Sequence, residues 1–298
     1  MDDRSNLLTE RRLAESMGLD AMSALDAVAL MNRQDALAVE AVGKVGPEIA
    51  RAVELVVEAL GRGGRLIYFG AGTSGRLGVL DASECPPTFR VPPEMVQGVI
   101  AGGNEAMFRA KEGAEDSVEG GAADVDAKNV GPDDVAMGIA AGGTTPYVRG
   151  ALTRARERGA RTVFLACVEP TPGEAEVDVQ IRPLVGPEVL TGSTRLKAGT
   201  ATKLVLNTIT TVAMVRLGKC YENLMVDLRA SNVKLWERGT RIVATLTGLD
   251  RAAARTALEA AQGHVKLAVV MVKRDVGAEA GKELLERAGG RLRRAIEG

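Results

Sequence analysis

Three loops rich in glycine and hydroxyl residues, and two glutamates near them, carry most of the chemistry this sequence offers. The sharpest is Gly70-Ala71-Gly72-Thr73-Ser74-Gly75-Arg76, which follows an apolar run and opens a helical stretch. Glycines let a backbone approach a ligand closely. A helix N-terminus adds free N–H groups and about half a positive charge, which suits a phosphate. Thr73 and Ser74 add hydroxyl donors, so Gly72, Thr73, Ser74 and Gly75 are candidate binding residues. A second loop, Ala141-Gly142-Gly143-Thr144-Thr145-Pro146, again precedes a helix, with Pro near the first helical position. A third, from Thr191 to Thr200, holds Ser193, Thr194 and Lys197. Together the loops point to a polyhydroxylated anion, although each alone also reads as an ordinary turn or cap.

Gly70, Gly72 and Gly75 also spell GxGxxG, the dinucleotide fingerprint. That site wants an acid about 20 positions on, at the tip of the second strand. Here the second strand ends Ile100-Ala101-Gly102-Gly103. A small phosphate ester fits the hydroxyl-bearing loop better than a pyrophosphate, and an NAD oxidoreductase ranks last among the enzyme readings.

Glu84 stands in Asp81-Ala82-Ser83-Glu84-Cys85-Pro86-Pro87, where the Pro-Pro pair is expected to end a helix. It reads equally as a plain helix-end carboxylate and as a catalytic one. Glu115 lies in Glu112-Gly113-Ala114-Glu115-Asp116, and Glu112, Glu115 and Glu119 are expected on one helical face. That row reads more readily as a solvated face, and spacing does not select Glu115 over Glu112. The sole histidine, His264, sits in a segment that reads as buried helix. One histidine argues against a Ser-His-Asp hydrolase and a multi-histidine metal centre. Cys85, Cys167 and Cys220 are odd in number and far apart, so they read as reduced thiols without a zinc site.

These residues need a scaffold. Short apolar runs at Leu66–Phe69, Val96–Ala101, Val135–Ala141, Thr162–Val168 and Val177–Ile181 read as five strands. Helical stretches between them are expected at Leu77–Ser83, Ala106–Val118 and Pro146–Arg158. Apolar strands alternating with helices indicate an α/β fold, a parallel sheet covered on both faces. Ligands bind such sheets at the carboxyl ends of the strands. Residues 1 to about 62 read as helical, with helices at Asp26–Ala38 and Pro47–Leu60. Lys197–Leu217, apolar nearly all round, reads as a buried helix, with a second subunit as one possible cover. The working division is 1–50 as an N-terminal helical segment, 51–243 as the domain with the site, and 244–298 as a C-terminal helical extension.

With 38 Lys+Arg against 39 Asp+Glu and 3% aromatics, neither a polyanion partner nor nucleic-acid stacking is indicated. No apolar run approaches the ~18 residues of a membrane span. The opening MDDRSNLLTERR lacks an apolar leader core, so the expectation is a soluble, cytoplasmic chain.

Longer stretches carry a resemblance. GRLIYFGAGTSGRLGVLDASECPPTF, PPEMVQGVIAGG, EGAEDS, GPEVLTGSTRLKAGTATKLVLN and RLGKCYENLMVDLRASNVKL resemble the N-acetylmuramic acid 6-phosphate etherases of the sugar isomerase (SIS) domain superfamily. LLTERRLAES and LDAMSALDAVALMNRQD resemble that family's N-terminal segment, so the likeness runs along nearly the whole chain. It implies a flavodoxin-like five-stranded parallel sheet, a helical C-terminal extension, a homodimer, and no metal or organic cofactor. It implies a lyase that removes D-lactate from the 3-position of the sugar by elimination and then hydration. By motif, Glu84 and Glu115 become the catalytic pair, Glu115 as base at C2 and Glu84 as acid on the departing ether oxygen. The three loops, including Gly142, Gly143, Thr144 and Thr145, are implied to hold phosphate and sugar hydroxyls. The second loop reads AGGTTPYV where relatives usually read ASGRTPYV, which leaves it chiefly backbone N–H groups. Leu13 stands where relatives often have Asn. The alternatives are a non-catalytic phosphosugar-binding regulator and an aldose–ketose phosphosugar isomerase.

Overall fold

All five expected strands form, and most of their residues are apolar. In the computed structural model, which describes residues 8–298, the strands are β1 (Leu66–Gly70), β2 (Val96–Ile100), β3 (Val135–Ile139), β4 (Arg161–Leu165) and β5 (Val179–Ile181). All pairings are parallel, in the order β2-β1-β3-β4-β5. The helices are α1 (Ala24–Lys44), α2 (Gly46–Gly61), α3 (Gly72–Phe89), α4 (Val118–Ala127), α5 (Pro146–Glu157) and α6 (Lys197–Arg216). Then follow α7 (Val233–Thr247), α8 (Arg251–Ala260), α9 (Val265–Arg274), α10 (Ala278–Arg287) and α11 (Leu292–Glu297). Among the described residues no helix is long and apolar enough to cross a membrane.

The chain divides into two units. The first takes residues up to Cys85 and Pro92–Thr211; the second takes Pro86–Val91 and Val212–Gly298. Residue 50 lies inside α2 and residue 243 inside α7. In the first unit alternate strand residues serve the two faces of the sheet. Ile67, Phe69, Ala136 and Phe164 pack with Val148 and Leu152 of α5 and Val125 of α4. Tyr68 turns the other way, where Gly78 of α3 lies close enough that a methyl there would be 2.9 Å from Tyr68 Cβ. The second unit has its own core, with Val243, Leu258, Val269 and Leu292 fully or almost fully buried.

Several local expectations need correction. Pro86 and Pro87 do not end α3; they lie within its last turns, and the helix runs to Phe89. Proline's fixed φ is helical, and each ring forgoes only its own N–H bond, to Ala82 O and Ser83 O, while the helix continues to Phe89. Ala106–Val118 is not one helix. It holds two 3₁₀ turns, Asn104–Met107 and Ala114–Asp116, and α4 begins only at Val118. Gly113 sits at φ 75°, a left-handed break, and Ser117 Oγ caps α4 by accepting from Gly120 N at 2.9 Å. Glu112, Glu115 and Glu119 therefore share no helical face. N-terminal to α1 lie three 3₁₀ turns between Leu8 and Ala21. α6 is not buried all round: Lys203, Thr208, Thr211 and Val212 are exposed. His264 is half-buried, at the N-cap of α9 rather than inside it.

Candidate active site

The strand order reverses between β1 and β3, and the loops leaving those two strands flank the crevice where such sheets take ligands. The first loop is tight at one end. A methyl on Gly75 would lie 2.6 Å from Gly70 O and 2.7 Å from Ile100 Cγ1. Gly75 is buried, and its N–H donates to Ala71 O at 3.2 Å. It lets helix meet strand at close range. Gly72 is exposed at φ 51°, and Thr73 and Ser74 are half-buried on the first turn of α3. Ala71 has no side-chain oxygen to cap that turn. Among the described residues the N–H groups of Thr73 and Ser74 have no acceptor.

In the second loop Gly143 is buried at φ 75°, and its N–H is taken by Ala140 O at 2.9 Å. Thr145 is the N-cap of α5 with no side-chain capping bond, so its hydroxyl stands free at a helix N-terminus. Gly142, Thr144 and Thr145 are half-buried.

In the third loop Ser193 and Thr194 are half-buried and lead into α6. Lys197 differs from both. It is 1% exposed, and its ammonium donates to Gln34 Oε1 at 2.7 Å. Burial lowers its pKa against the pull of Glu188. Glu188, also buried, accepts from Lys197 N at 3.0 Å and Ala198 N at 2.9 Å, so it caps α6. Burial raises the Glu188 carboxyl pKa despite those two donors. Lys197 is thus a buried brace between α6 and α1.

The loops converge. A methyl on Gly199, in the first turn of α6, would be 3.7 Å from Thr73 Cγ2 and 3.5 Å from Thr194 O. A methyl on Gly142 would be 3.8 Å from Thr9 Oγ1, and Thr9 O accepts from Gly192 N at 3.2 Å. Thr9 therefore spans the second and third loops. It is fully buried, yet among the described residues its hydroxyl has no partner. The Glu115 turn lies at the same sheet edge, with Ala114 Cβ 3.3 Å from where a methyl on Gly102, just past β2, would be. Arg76 does not face this crevice freely; it donates to Ala106 O at 2.7 Å and Met107 O at 3.0 Å.

Glu84 is elsewhere. Twelve residues separate it from Gly72 along α3, a rise of roughly 18 Å. At Val79 the helix already crosses the middle of β2, where a methyl on Gly98 would be 2.5 Å from Val79 Cα. Glu84 thus lies toward the amino edge of the sheet. Both glutamates are exposed. Within one chain they do not meet.

Two family models match: the N-terminal SIS domain of glucokinase regulatory protein over residues 48–156, and that protein's C-terminal lid domain over residues 222–279. A phosphoheptose isomerase from Francisella tularensis shares the fold of 65% of this chain, over 100% of its own, at TM-score 0.50 and 19% identity. Full-length relatives are far closer in sequence. The N-acetylmuramic acid 6-phosphate etherase of Rubrobacter xylanophilus is 54% identical over 300 residues, covering 99% of this chain and 98% of that protein. Those of Synechocystis and Gloeobacter violaceus are 50% and 53% identical, each covering 100% of this chain and 97% of the relative. The chain belongs to the N-acetylmuramic acid 6-phosphate etherase family.

Buried polar side chains also lie outside the sequence-predicted set. Sequence reasoning passed over Asp81, which is buried and accepts from Tyr68 Oη (2.8 Å), Asn207 Nδ2 (2.6 Å) and Thr210 Oγ1 (3.1 Å). Its signal was present: a carboxylate on the same α3 face as Gly78 and Cys85. Burial first, and Asp81 second, push the Cys85 thiol up to about 12, so it is no nucleophile. Thr9 was also passed over, since nothing in the sequence marks a threonine as unpaired.

Proposed function

We propose that this lyase cleaves the D-lactyl ether of N-acetylmuramic acid 6-phosphate at a site completed by a second copy of the chain. The convergence of Thr73, Thr9 and the three loops at the β1/β3 crevice carries the reading. The phosphate sits on the uncapped first turn of α3, with Thr73 and Ser74 as donors. Gly142, Thr144, Thr145, Ser193 and Thr194 face the sugar. Gly75 and Gly143 shape turns, and Lys197 braces α6.

The sugar opens to its aldehyde, which acidifies the proton on C2. Glu115 removes that proton. The electron pair forms the C2–C3 double bond as the C3–O bond breaks, and Glu84 of the partner subunit protonates the departing lactate oxygen. Water then adds its oxygen to C3 and a proton to C2, giving N-acetylglucosamine 6-phosphate and D-lactate. An ordinary carboxylate, near ~4.3, is a weak base in water, so the chemistry calls for an enclosed pair. One chain leaves both glutamates exposed; a subunit boundary would enclose them.

A cytoplasmic homodimer fits this reading. Leu80, one turn before Glu84 on the same face of α3, is 50% exposed, and Leu25, Val28 and Val39 on α1 are exposed as well. The test is D-lactate release from the phosphorylated sugar, with C2 exchange followed in deuterium oxide. Glu115→Ala should lose exchange, and Glu84→Ala should keep exchange while failing to expel lactate. The match to two domains of a regulatory protein favours one rival, a phosphosugar sensor. Well-folded protein that binds the sugar and releases no lactate would support it.

A further inference from the structure

The second unit contains a cavity of about 270 Å³ lined by Arg90, Asp227, His264, Lys266 and Lys282. The etherase reading uses none of them. Asp227 is the one acid in that lining, and its charge is already shared by Lys219 at 2.8 Å and Lys266 at 3.2 Å. Arg90 has no carboxylate partner among the described residues; its guanidinium faces His264 Nδ1 at 3.4 Å. Lys282 pairs only outward, with exposed Glu279. Arg229, bridged to His264 through the backbone, adds a further cation. The cavity is left with excess positive charge.

Two more observations point the same way. α9 starts at the cavity, and its N-cap His264 makes no side-chain capping bond. Among the described residues the N–H groups of Lys266 and Leu267 have no acceptor, so two donors and the positive helix end are open. Arg90 itself sits at φ 52°, a left-handed conformation disfavoured for any residue with a Cβ. The cavity floor is apolar, including Leu228 and Leu285.

We infer that this cavity binds a small organic acid, its acidic group held by Arg90, His264 and the free N–H groups of α9, its short apolar body resting on Leu228 and Leu285. A volume of about 270 Å³ has room for a small organic acid. Charge-assisted bonds from a guanidinium and backbone amides supply the orientation.

His264 is the only histidine, so its ring Hε1 gives one unambiguous resonance that reports on the cavity. Burial first, then Arg90 and Arg229, hold its pKa below the usual 6.5, with Lys282 adding to and Asp227 opposing them. A bound anion adds negative charge and should raise it. The probes are benzoate, with charge and body; inorganic phosphate, with charge alone; and benzyl alcohol, with the body alone. Benzoate should shift the His264 resonance saturably and raise its pKa, binding at least ten-fold more tightly than either control. Arg90→Gly relieves the backbone strain while removing the cation, and it should weaken benzoate at least ten-fold. Lys282→Gln should weaken it by a smaller factor. No saturable shift with benzoate, equal binding of benzyl alcohol, or unchanged affinity in Arg90→Gly would each overturn the inference.

Discussion

Tyr68 Oη donates to Asp81 Oδ2 across 2.8 Å, joining the middle of β1 to the middle of α3 with both side chains buried. Burial first, and then Asp81, push the Tyr68 pKa well above its usual 10, so the hydroxyl stays a donor throughout the working range. Asn207 and Thr210 complete the carboxylate's shell and tie α6 to the same point. Tyr68→Phe should cost about 1–2 kcal/mol, one hydrogen bond to a charged group. Asp81→Ala strands the Tyr68 and Asn207 donors, while Thr210 keeps Leu206 O at 3.1 Å, and should cost about 2–5 kcal/mol. Urea unfolding of the two variants checks the order.

Gly72 and Gly75 should respond differently to the same substitution. A methyl on Gly75 meets backbone at 2.6 Å, whereas one on Gly72 meets nothing and faces only the cost of φ 51°. Gly72→Ala should lose about 1 kcal/mol, and Gly75→Ala about 1–3 kcal/mol through overpacking, with a shift of the first loop. Thermal melts together with KM for the sugar phosphate separate the two.

Mixing two inactive variants reads out a site built from two chains. Glu84→Gln and Glu115→Gln should each lose about 10²–10⁴ in kcat. If Glu84 serves the partner, each mixed dimer regains one intact site. Co-refolded equal mixtures should then recover close to a quarter of wild-type activity. No recovery with mixed dimers present would place both glutamates in the same chain.

The unpaired hydroxyl of buried Thr9 should cost the free protein and serve the bound one. Thr9→Val should leave stability equal or raise it by about 1 kcal/mol, because an unmet polar group is removed. KM should rise roughly ten-fold, the loss of about one hydrogen bond. A stabilised variant with unchanged KM would show that the hydroxyl never meets the substrate.

His264 sets one pH dependence whose sign is fixed. Its folded pKa lies below 6.5, so the unfolded chain takes up the proton first. Stability is complete above pH 6.5 and falls as pH drops below it toward the folded value. His264→Gln should flatten that part of the stability curve, and Arg90→Gly should move the imidazole pKa upward. Unfolding midpoints from pH 7.5 to 5 and the imidazole titration test both.

The sheet was legible because its strands are short, mostly apolar runs; β1 and β3 are buried throughout, while β2 and β5 carry Gln97 and Gln180. The boundaries that moved were those decided by tertiary context. Pro86 and Pro87 stay helical although each forgoes an N–H bond, because their fixed φ is already helical. The segment before Glu115 leaves helix at Gly113, whose left-handed φ the spacing of the glutamates conceals. The loops announced themselves through glycines and hydroxyls, but which glycine packs and which is open depends on neighbours distant in sequence, such as Ile100 against Gly75. The separation of Glu84 from the first loop was implicit in helix geometry alone.

α3 therefore acts as a fixed spacer, and this constrains how the chain can change. Surface turns tolerate extra residues at modest entropic cost. One residue inserted between Gly78 and Glu84 would swing the carboxylate about 100° around the axis, because a turn holds 3.6 residues. The anion grip would survive while the acid pointed away. Among functional descendants, length variation should collect in connecting loops and be missing from that stretch of helix.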